Sequence, residues 1–312
     1  MKRAWTLTVN VVMLIVSTLA LSGFIGQYGA IPEILGHLRL LWIALLIPLV
    51  VLAICLKQRP AILCGFILLL IVTPVVQLYL PRGSQPQNSA THLRLLELNL
   101  WGGKNRNFDA VSAEIAREDP DILGLSEITQ QWADHLQPVV RQYKYQIVYP
   151  HLGGIALYSK YPMTGAVNNF GKMKRPRIDA QITVNGEKVA FVFAHPVIPL
   201  KSLAPLRNGE LALLAQEARD NCSKGPCILA GDLNCTPWSY YFERLLADGN
   251  LVDSERGFGP QPSWNTFIHA VIMPIDHCLI SNDIVCLSRK TGPFVGSDHL
   301  PVIIDLGIPG KS

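Results

Sequence analysis

The stretch CILAGDLN, residues 227–234, decides how the chain is read. Cys227 to Ala230 is a short apolar run with the length of a buried strand, and it ends on Asp232 and Asn234. A carboxylate at the end of such a strand is costly to bury unless it is paired or bound to metal. One instance would mean little, because strand ends often carry Asp or Asn for turn chemistry. The pattern recurs, however. LELN ends in Asn99, LGLSE in Glu127 and FVFAH in His195, while IDH places Asp276 at a strand start. SDH places Asp298 and His299 just ahead of the last apolar run. A set made only of acids, amides and imidazoles predicts one pocket on the rim of a rigid sheet, where catalytic groups usually sit.

Working outward, short apolar runs at 93–100, 122–127, 145–150, 154–160, 179–184 and 188–195 read as strands, as do IDHCLIS and LPVIIDL. Helices are expected at 108–118, with Asn107 as cap and Val111 and Ile115 on one face, at 210–221, and at 238–249, with Gly249 as its stop. Strands outnumber helices and short turns join many of them. The expected fold class is therefore α/β: two mixed sheets packed face to face with helices outside.

The first 80 residues are different. Trp5–Ile25, Leu38–Leu56 and Ala61–Leu80 are nearly charge-free runs of about 20 residues, each long enough to cross a hydrocarbon core of roughly 30 Å. They predict three transmembrane helices (about 5–25, 38–56 and 61–80), a linker at 81–91 and a catalytic domain at 92–312. The first run could instead be a signal peptide, with MKR as its basic region. Lys2, Arg3, Lys57 and Arg59 outnumber Arg39 and Arg82 on the opposite side, which predicts a cytoplasmic N-terminus and an extracytoplasmic domain. Residues 1–80 hold five of the 27 basic and one of the 23 acidic side chains, so the rest of the chain balances at 22 of each. A protein that grips nucleic acid through its phosphates usually shows a basic surplus; this domain has none overall. Cys222 and Cys227 bracket a turn and either pair or stay as two free thiols.

Hard oxygen ligands without thiolates suit Mg²⁺ or Mn²⁺. A metal of that kind polarises a phosphoryl oxygen, a carboxylate orients or deprotonates water, and an imidazole stabilises or protonates phosphoryl oxygens. Although Ser297, Asp298 and His299 spell the three residue types of a serine-hydrolase triad, neighbours on an extended chain point to opposite sides and cannot form one. His151, His269 and His277 read as turn, loop and strand residues, and Cys235 as a packed thiol. Lys172, Lys174, Arg175 and Arg177 form one basic cluster, either a solvated loop or a contact for an anionic substrate or headgroup. Trp264 either packs in the core or lines the substrate mouth.

ELNLWGG, PDILGLSEIT, GIALYSKYP, FAHP, LAGDLNCTPWS, PIDHCLIS and GSDHLPVIIDL, in this order over residues 93–307, resemble the motifs of the endonuclease/exonuclease/phosphatase superfamily. That resemblance implies a four-layer α/β sandwich and a divalent-metal-dependent phosphoesterase. It implies metal ligation by Glu127 with Asn99 and Asp298, and water activation by Asp232. It gives Asn234 the phosphate, His299 the catalytic imidazole role with Asp276 orienting it, and His195 the place of a second histidine. Leu233 stands where the family commonly has Phe, and Pro274 where it commonly has Arg. The three spans and the GPxPSW…IDH segment are similar to the membrane-anchored bacterial branch that includes teicoplanin-resistance membrane proteins. The expected partners are therefore a lipid bilayer and a phosphate-containing substrate, with a lipid-linked phosphate favoured, substrate contacts from Trp264, Arg175 and Arg177, and no protein partner evident. A metal-dependent extracytoplasmic nuclease is the first alternative, and a non-catalytic lipid- or antibiotic-sensing module the second.

Overall fold

The computed structural model describes residues 2–80, 91–171, 174–268 and 271–310; residues 81–90 of the expected linker at 81–91, Lys172 and His269 lie outside them. The N-terminal region comprises α1 (Lys2–Ser22), a 3₁₀ segment (Gly23–Tyr28), α2 (Ala30–His37), α3 (Arg39–Cys55) and α4 (Pro60–Val76). Met13, Leu46 and Ile71 are buried where α1, α3 and α4 meet. On the outward faces, Leu7, Leu14, Ile62 and Leu69 are all more than 60% exposed. Helices apolar both inside and outside are those of a large core or a membrane. Thr6–Tyr28 and Pro60–Tyr79 are each long and apolar enough to cross a bilayer. The expected span Leu38–Leu56 is not confirmed as one by itself: α3 has 17 residues, about 25 Å at 1.5 Å per residue, and meets α2 at a 65° bend. The pair makes a third span only if both arms count as one.

After the linker come β1 (Thr91–Asn99), α5 (Phe108–Glu118), β2 (Ile122–Ser126), α6 (Gln130–Val140), β3 (Tyr145–Tyr149), β4 (Ile155–Ser159), β5 (Met163–Phe170), β6 (Arg175–Val184) and β7 (Glu187–Ala194). The chain continues with α7 (Ala204–Cys222), β8 (Cys227–Asp232), α8 (Tyr240–Gly249), β9 (Val252–Asp253), β10 (Asp276–Ile280), β11 (Val285–Thr291) and β12 (Val302–Ile308). Two six-stranded sheets result, ordered β11-β12-β1-β2-β4-β3 and β5-β6-β7-β8-β10-β9. Leu95, Leu157, Phe191, Phe193, Ile228 and Ile304 fill the space between them. α5 and α6 cover the outer face of the first sheet through Ile115, Trp132 and Leu136; α7 and α8 cover the second through Leu214 and Phe242. Asn107 caps α5 as expected, its Oδ1 accepting from the Ala110 N–H. The stop of α8 is Asn250 rather than Gly249, at φ 54°. Cys222 and Cys227 are disulfide-bonded, joining the end of α7 to the start of β8.

Each sheet has one parallel pair at its centre, β1 with β2 and β7 with β8. Parallel strands end at the same edge, and their antiparallel neighbours β12 and β10 begin there. That is why polar residues follow some strands and precede others. The two-residue period of a strand then sets their direction. Leu93 and Leu95 face the other sheet, so Asn99 does too; the same holds for His195 after Phe191 and Phe193, and for Asp232 after Ile228 and Ala230.

Gly231 has φ 128°, and a Cβ there would sit 2.1 Å from the Ala194 carbonyl oxygen. Gly209, in α7, faces open space. Gly231→Ala is expected to destabilise the protein by at least about 1–3 kcal/mol and lower its thermal midpoint, whereas Gly209→Ala stabilises it by about 0.5–1 kcal/mol. Thermal unfolding of the two variants beside the parent checks both signs.

Candidate active site

The polar strand ends of both sheets converge on one cavity of about 440 Å³, lined by Asn99, Glu127, His195, Asp232, Asn234, Trp264, Asp298 and His299. Asp232 is at its centre and is buried. Its Oδ2 accepts from Asn99 Nδ2 at 3.0 Å and lies 3.3 Å from His195 Nε2 and 3.6 Å from His299 Nε2. Its Oδ1 accepts from the Asn234 N–H at 2.9 Å. Burial opposes the charge on Asp232, but the two imidazoles and these hydrogen bonds outweigh it and hold the carboxyl below the usual carboxylate range.

His299 Nδ1 donates to Asp276 Oδ2 at 2.7 Å. Burial alone would neutralise this imidazole; Asp276 and Asp232 outweigh burial and push its pKa up to about 10. Asp276, not the adjacent Asp298, is thus the carboxylate hydrogen-bonded to this imidazole, and Ser297 is engaged elsewhere. The Ser297 hydroxyl donates to the Asn99 carbonyl at 2.6 Å and accepts from the His299 N–H, tying the end of β1 to the loop before β12.

Glu127 departs from strand alternation. It lies at φ 54°, a left-handed conformation that redirects a side chain otherwise bound for the helical face. Its Oε1 comes within 3.5 Å of Asn99 Nδ2 and 3.9 Å of His195 Nε2, and its side chain is about one-third exposed. Asp298 Oδ2 accepts from Trp264 Nε1 at 3.0 Å, while its Oδ1 is buried without a hydrogen-bond partner, 4.0 Å from His299 Nε2. Burial raises the Asp298 pKa, partly offset by His299 and Trp264. This buried carboxylate oxygen and the open carboxylate of Glu127 are hard oxygens of the kind that suit a divalent cation, while Asn99 turns its Nδ2 to Glu127 and Asp232 and accepts from the Trp101 N–H at its Oδ1. Asp232, Asp276 and His299 also cluster within metal-ligand reach of one another. There the Nδ1 of His299 is spent on Asp276, so the Glu127 side fits a cation better.

The remaining expected residues divide. Trp264 stands in the cavity wall rather than the core. Arg175 supports His195, donating from Nε to its carbonyl at 3.0 Å and from a terminal nitrogen to Nδ1 at 2.7 Å. The same terminal nitrogen lies 3.2 Å from Nε2, the ring atom that faces Asp232. Arg177 is corrected: it is buried, ion-paired with Asp179 and Glu217 and set over Phe170, and does not line the cavity. His277 is buried, with Nε2 donating to the Cys235 carbonyl at 2.8 Å, and burial lowers its pKa to about 3.

Trp101, Lys104, Ile34 and His37 also line the cavity, and no strand-end pattern marked them. A buried support lies behind it. Arg289 donates to the Asp276 carbonyl at 2.8 Å and to Gln261 Oε1 at 2.7 Å. Its charge faces the buried carboxyls Glu255, Asp253 and Glu97, all held above their ordinary pKa chiefly by burial, Glu255 at about 8.

Residues 96–299 match the family model described as the endonuclease/exonuclease/phosphatase family. Among solved structures, zebrafish (D. rerio) TDP2 complexed with a single-strand DNA product superposes with a TM-score of 0.58 at 16% identity, over 70% of this chain and 99% of that one. An endonuclease/exonuclease/phosphatase from Beutenbergia cavernae gives 0.57 at 20% identity, over 70% and 72%, and one from Bacteroides vulgatus gives 0.56 at 15%, over 70% and 99%. At such identities these likenesses show the fold. No curated protein sequence matches the chain. With the matched region running from β1 to the histidine of the SDH motif, the chain belongs to the endonuclease/exonuclease/phosphatase family.

Proposed function

We propose that the protein is a membrane-anchored, divalent-metal-dependent phosphoesterase that hydrolyses a lipid-linked phosphate ester or pyrophosphate at the membrane surface. The observation that carries this is the buried Asp232 carboxylate, kept ionised between two imidazoles beside an open set of oxygen ligands. Glu127, Asn99 and Asp298 would hold Mg²⁺ or Mn²⁺. Such a cation supplies charge neutralisation at the phosphoryl oxygens. Asp232, with its Oδ1 fixed by the Asn234 N–H, orients a water or takes its proton. His299, held cationic by Asp276, faces the phosphoryl group and stabilises or protonates its oxygens. Asn234 keeps one amide hydrogen on the Pro196 carbonyl at 3.0 Å, leaving the other for phosphate. Arg175 acts through His195 rather than on substrate.

The anchor supports the lipid part of this reading. The N-terminal end of α1 and the α3–α4 turn are joined by a hydrogen bond from Asn10 Nδ2 to Gln58 Oε1 at 3.4 Å. Lys2, Arg3, Lys57 and Arg59 belong to that end in sequence. The catalytic domain contacts the other end, where the Leu78 carbonyl accepts from Gly257 and Gly259. With three spans, counting the bent α2–α3 pair as one, the positive-inside rule puts the domain outside the cytoplasm. Tethering raises the local concentration of a substrate confined to the bilayer. A nuclease is the second reading, favoured by Trp101 and Lys104 in the cavity wall.

The full-length protein assayed with Mg²⁺ or Mn²⁺ against phospholipids, polyprenyl pyrophosphates, soluble phosphoesters and DNA is expected to cleave lipid phosphates, to lose turnover in EDTA and to recover it with either ion. Activity that persists without metal overturns the proposal; DNA cleavage with a steep salt dependence favours the nuclease. Asp232→Asn and His299→Ala are each expected to lower kcat by about 10²–10⁴-fold. A cellular phenotype that survives both substitutions would instead mark a non-catalytic sensor.

A further inference from the structure

The anchor is not held apart from the catalytic domain. Glu33 of α2 is ion-paired with Arg207 of α7, and both side chains are buried. His37 Nδ1 lies 3.0 Å from Thr236 Oγ1, and Trp238 Nε1 donates to the Gly36 carbonyl at 2.9 Å. Arg207 also donates to the Asn234 carbonyl at 3.1 Å. One guanidinium therefore grips both the anchor and the loop that carries Asn234. At its far side α2 is set against the end of α1 through a glycine pair: a Cβ on Gly23 would lie 2.5 Å from Gly36 Cα. Fixed in this way, α2 contributes Ile34 and His37 to the wall of the catalytic cavity.

The cavity is two-sided in chemistry. Its floor is the set of carboxylates, amides and imidazoles described above. The rest of its wall comes from separate parts of the chain and is largely aliphatic: Ile34 from α2, Ile198 and Leu200 from the segment before α7, and Met273 and Ile275 before β10. Ile198 and Leu200 are 44% and 48% exposed, an unfavourable arrangement in water unless something apolar covers them. A nucleotide base would want a free aromatic face. Of the two tryptophans in the wall, Trp101 is already engaged, with Phe267 at 5.1 Å between ring centroids and Lys104 Nζ 5.2 Å from its own, and Trp264 is tied by its Nε1 to Asp298. Lys104 is the only Lys or Arg in the wall among the described residues.

We infer that this aliphatic wall, completed by the anchor helix α2, is the subsite for the first carbons of a hydrocarbon chain esterified to the phosphate being cleaved. The anchor is then part of the substrate site as well as a tether. This rests on the proposed phosphoesterase reading and names the substrate class within it: a phosphate amphiphile whose chain begins next to the scissile group. Ile34 and Leu200 are specificity-determining residues, one on each side of the wall.

The test uses the full-length protein in detergent with Mg²⁺ and a series of 4-nitrophenyl alkyl phosphodiesters, methyl to octyl, kept below their micelle concentrations. The readout is the slope of kcat/KM with chain length. In the parent protein it is expected to rise by up to about fourfold for each methylene that leaves water, and by at least tenfold across the series. Ile34→Asn and Leu200→Asn are each expected to cut that rise at least fivefold. Ile31→Asn, on the same helix but 73% exposed and outside the cavity wall, keeps the parent slope and so separates the subsite from partitioning into detergent. If Ile34→Asn does not fold, Leu200→Asn at its exposed position reads the same wall. A flat slope in the parent, or equal slopes in all four proteins, overturns the subsite while leaving a lipid phosphoesterase standing. Cleavage of DNA with no cleavage of any alkyl ester overturns the substrate reading and the subsite with it.

Discussion

A carboxylate buried at the meeting point of two sheets has to be compensated, and the arrangement around Asp232 follows from that requirement. Its charge is opposed by burial and sustained by His195, His299 and Asn99. Each partner needs its own support. His299 has Asp276, which has Arg289 at its backbone; His195 has Arg175. Removing one member leaves an uncompensated buried group, which costs more than the lost contact itself. Asp298 Oδ1 is the exception, buried without a hydrogen bond on the side of the cavity that Glu127 opens.

The sheets make this convergence geometrically simple. A central parallel pair in each sheet sends two strand ends to one edge, and antiparallel neighbours start from the same edge. Polar residues from six distant parts of the chain thus reach one cavity with almost no loop between strand and site. The anchor joins through a different kind of contact. Glu33, His37 and Gly36 bind the segment around Asn234 and Trp238, so the N-terminal helices and the polar cavity share one wall.

Much of this was legible along the chain, and the failures have physical causes. Helix 108–118 was readable at both ends because Asn107 is a true cap and Val111 and Ile115 keep a helical period. Asn99, His195 and Asp232 were readable because alternation carries each onto the buried face. α6 went unread, and so did the edge strand β5, whose burial pattern is mostly exposed and gives no two-residue period. Arg177 was misjudged because a cluster of basic residues says nothing about partners as far away in sequence as Glu217. The apolar run at 38–56 gives no sign of the 65° bend at its start, because hydropathy carries no direction.

Residue spacing, taken alone, determined the α/β class, the apolar N-terminal helices and the membership of the polar set, since hydrophobic period and strand-end chemistry are local properties. Only the tertiary structure decided three further matters. It chose Asp276 rather than a sequence neighbour as partner of His299, because strand pairing brings residues 23 positions apart to hydrogen-bond distance. It turned Glu127 into the cavity through a left-handed backbone that its sequence does not require. And it placed Ile34 and His37 in the wall of the site, because a buried ion pair between Glu33 and Arg207 spans 174 residues of chain.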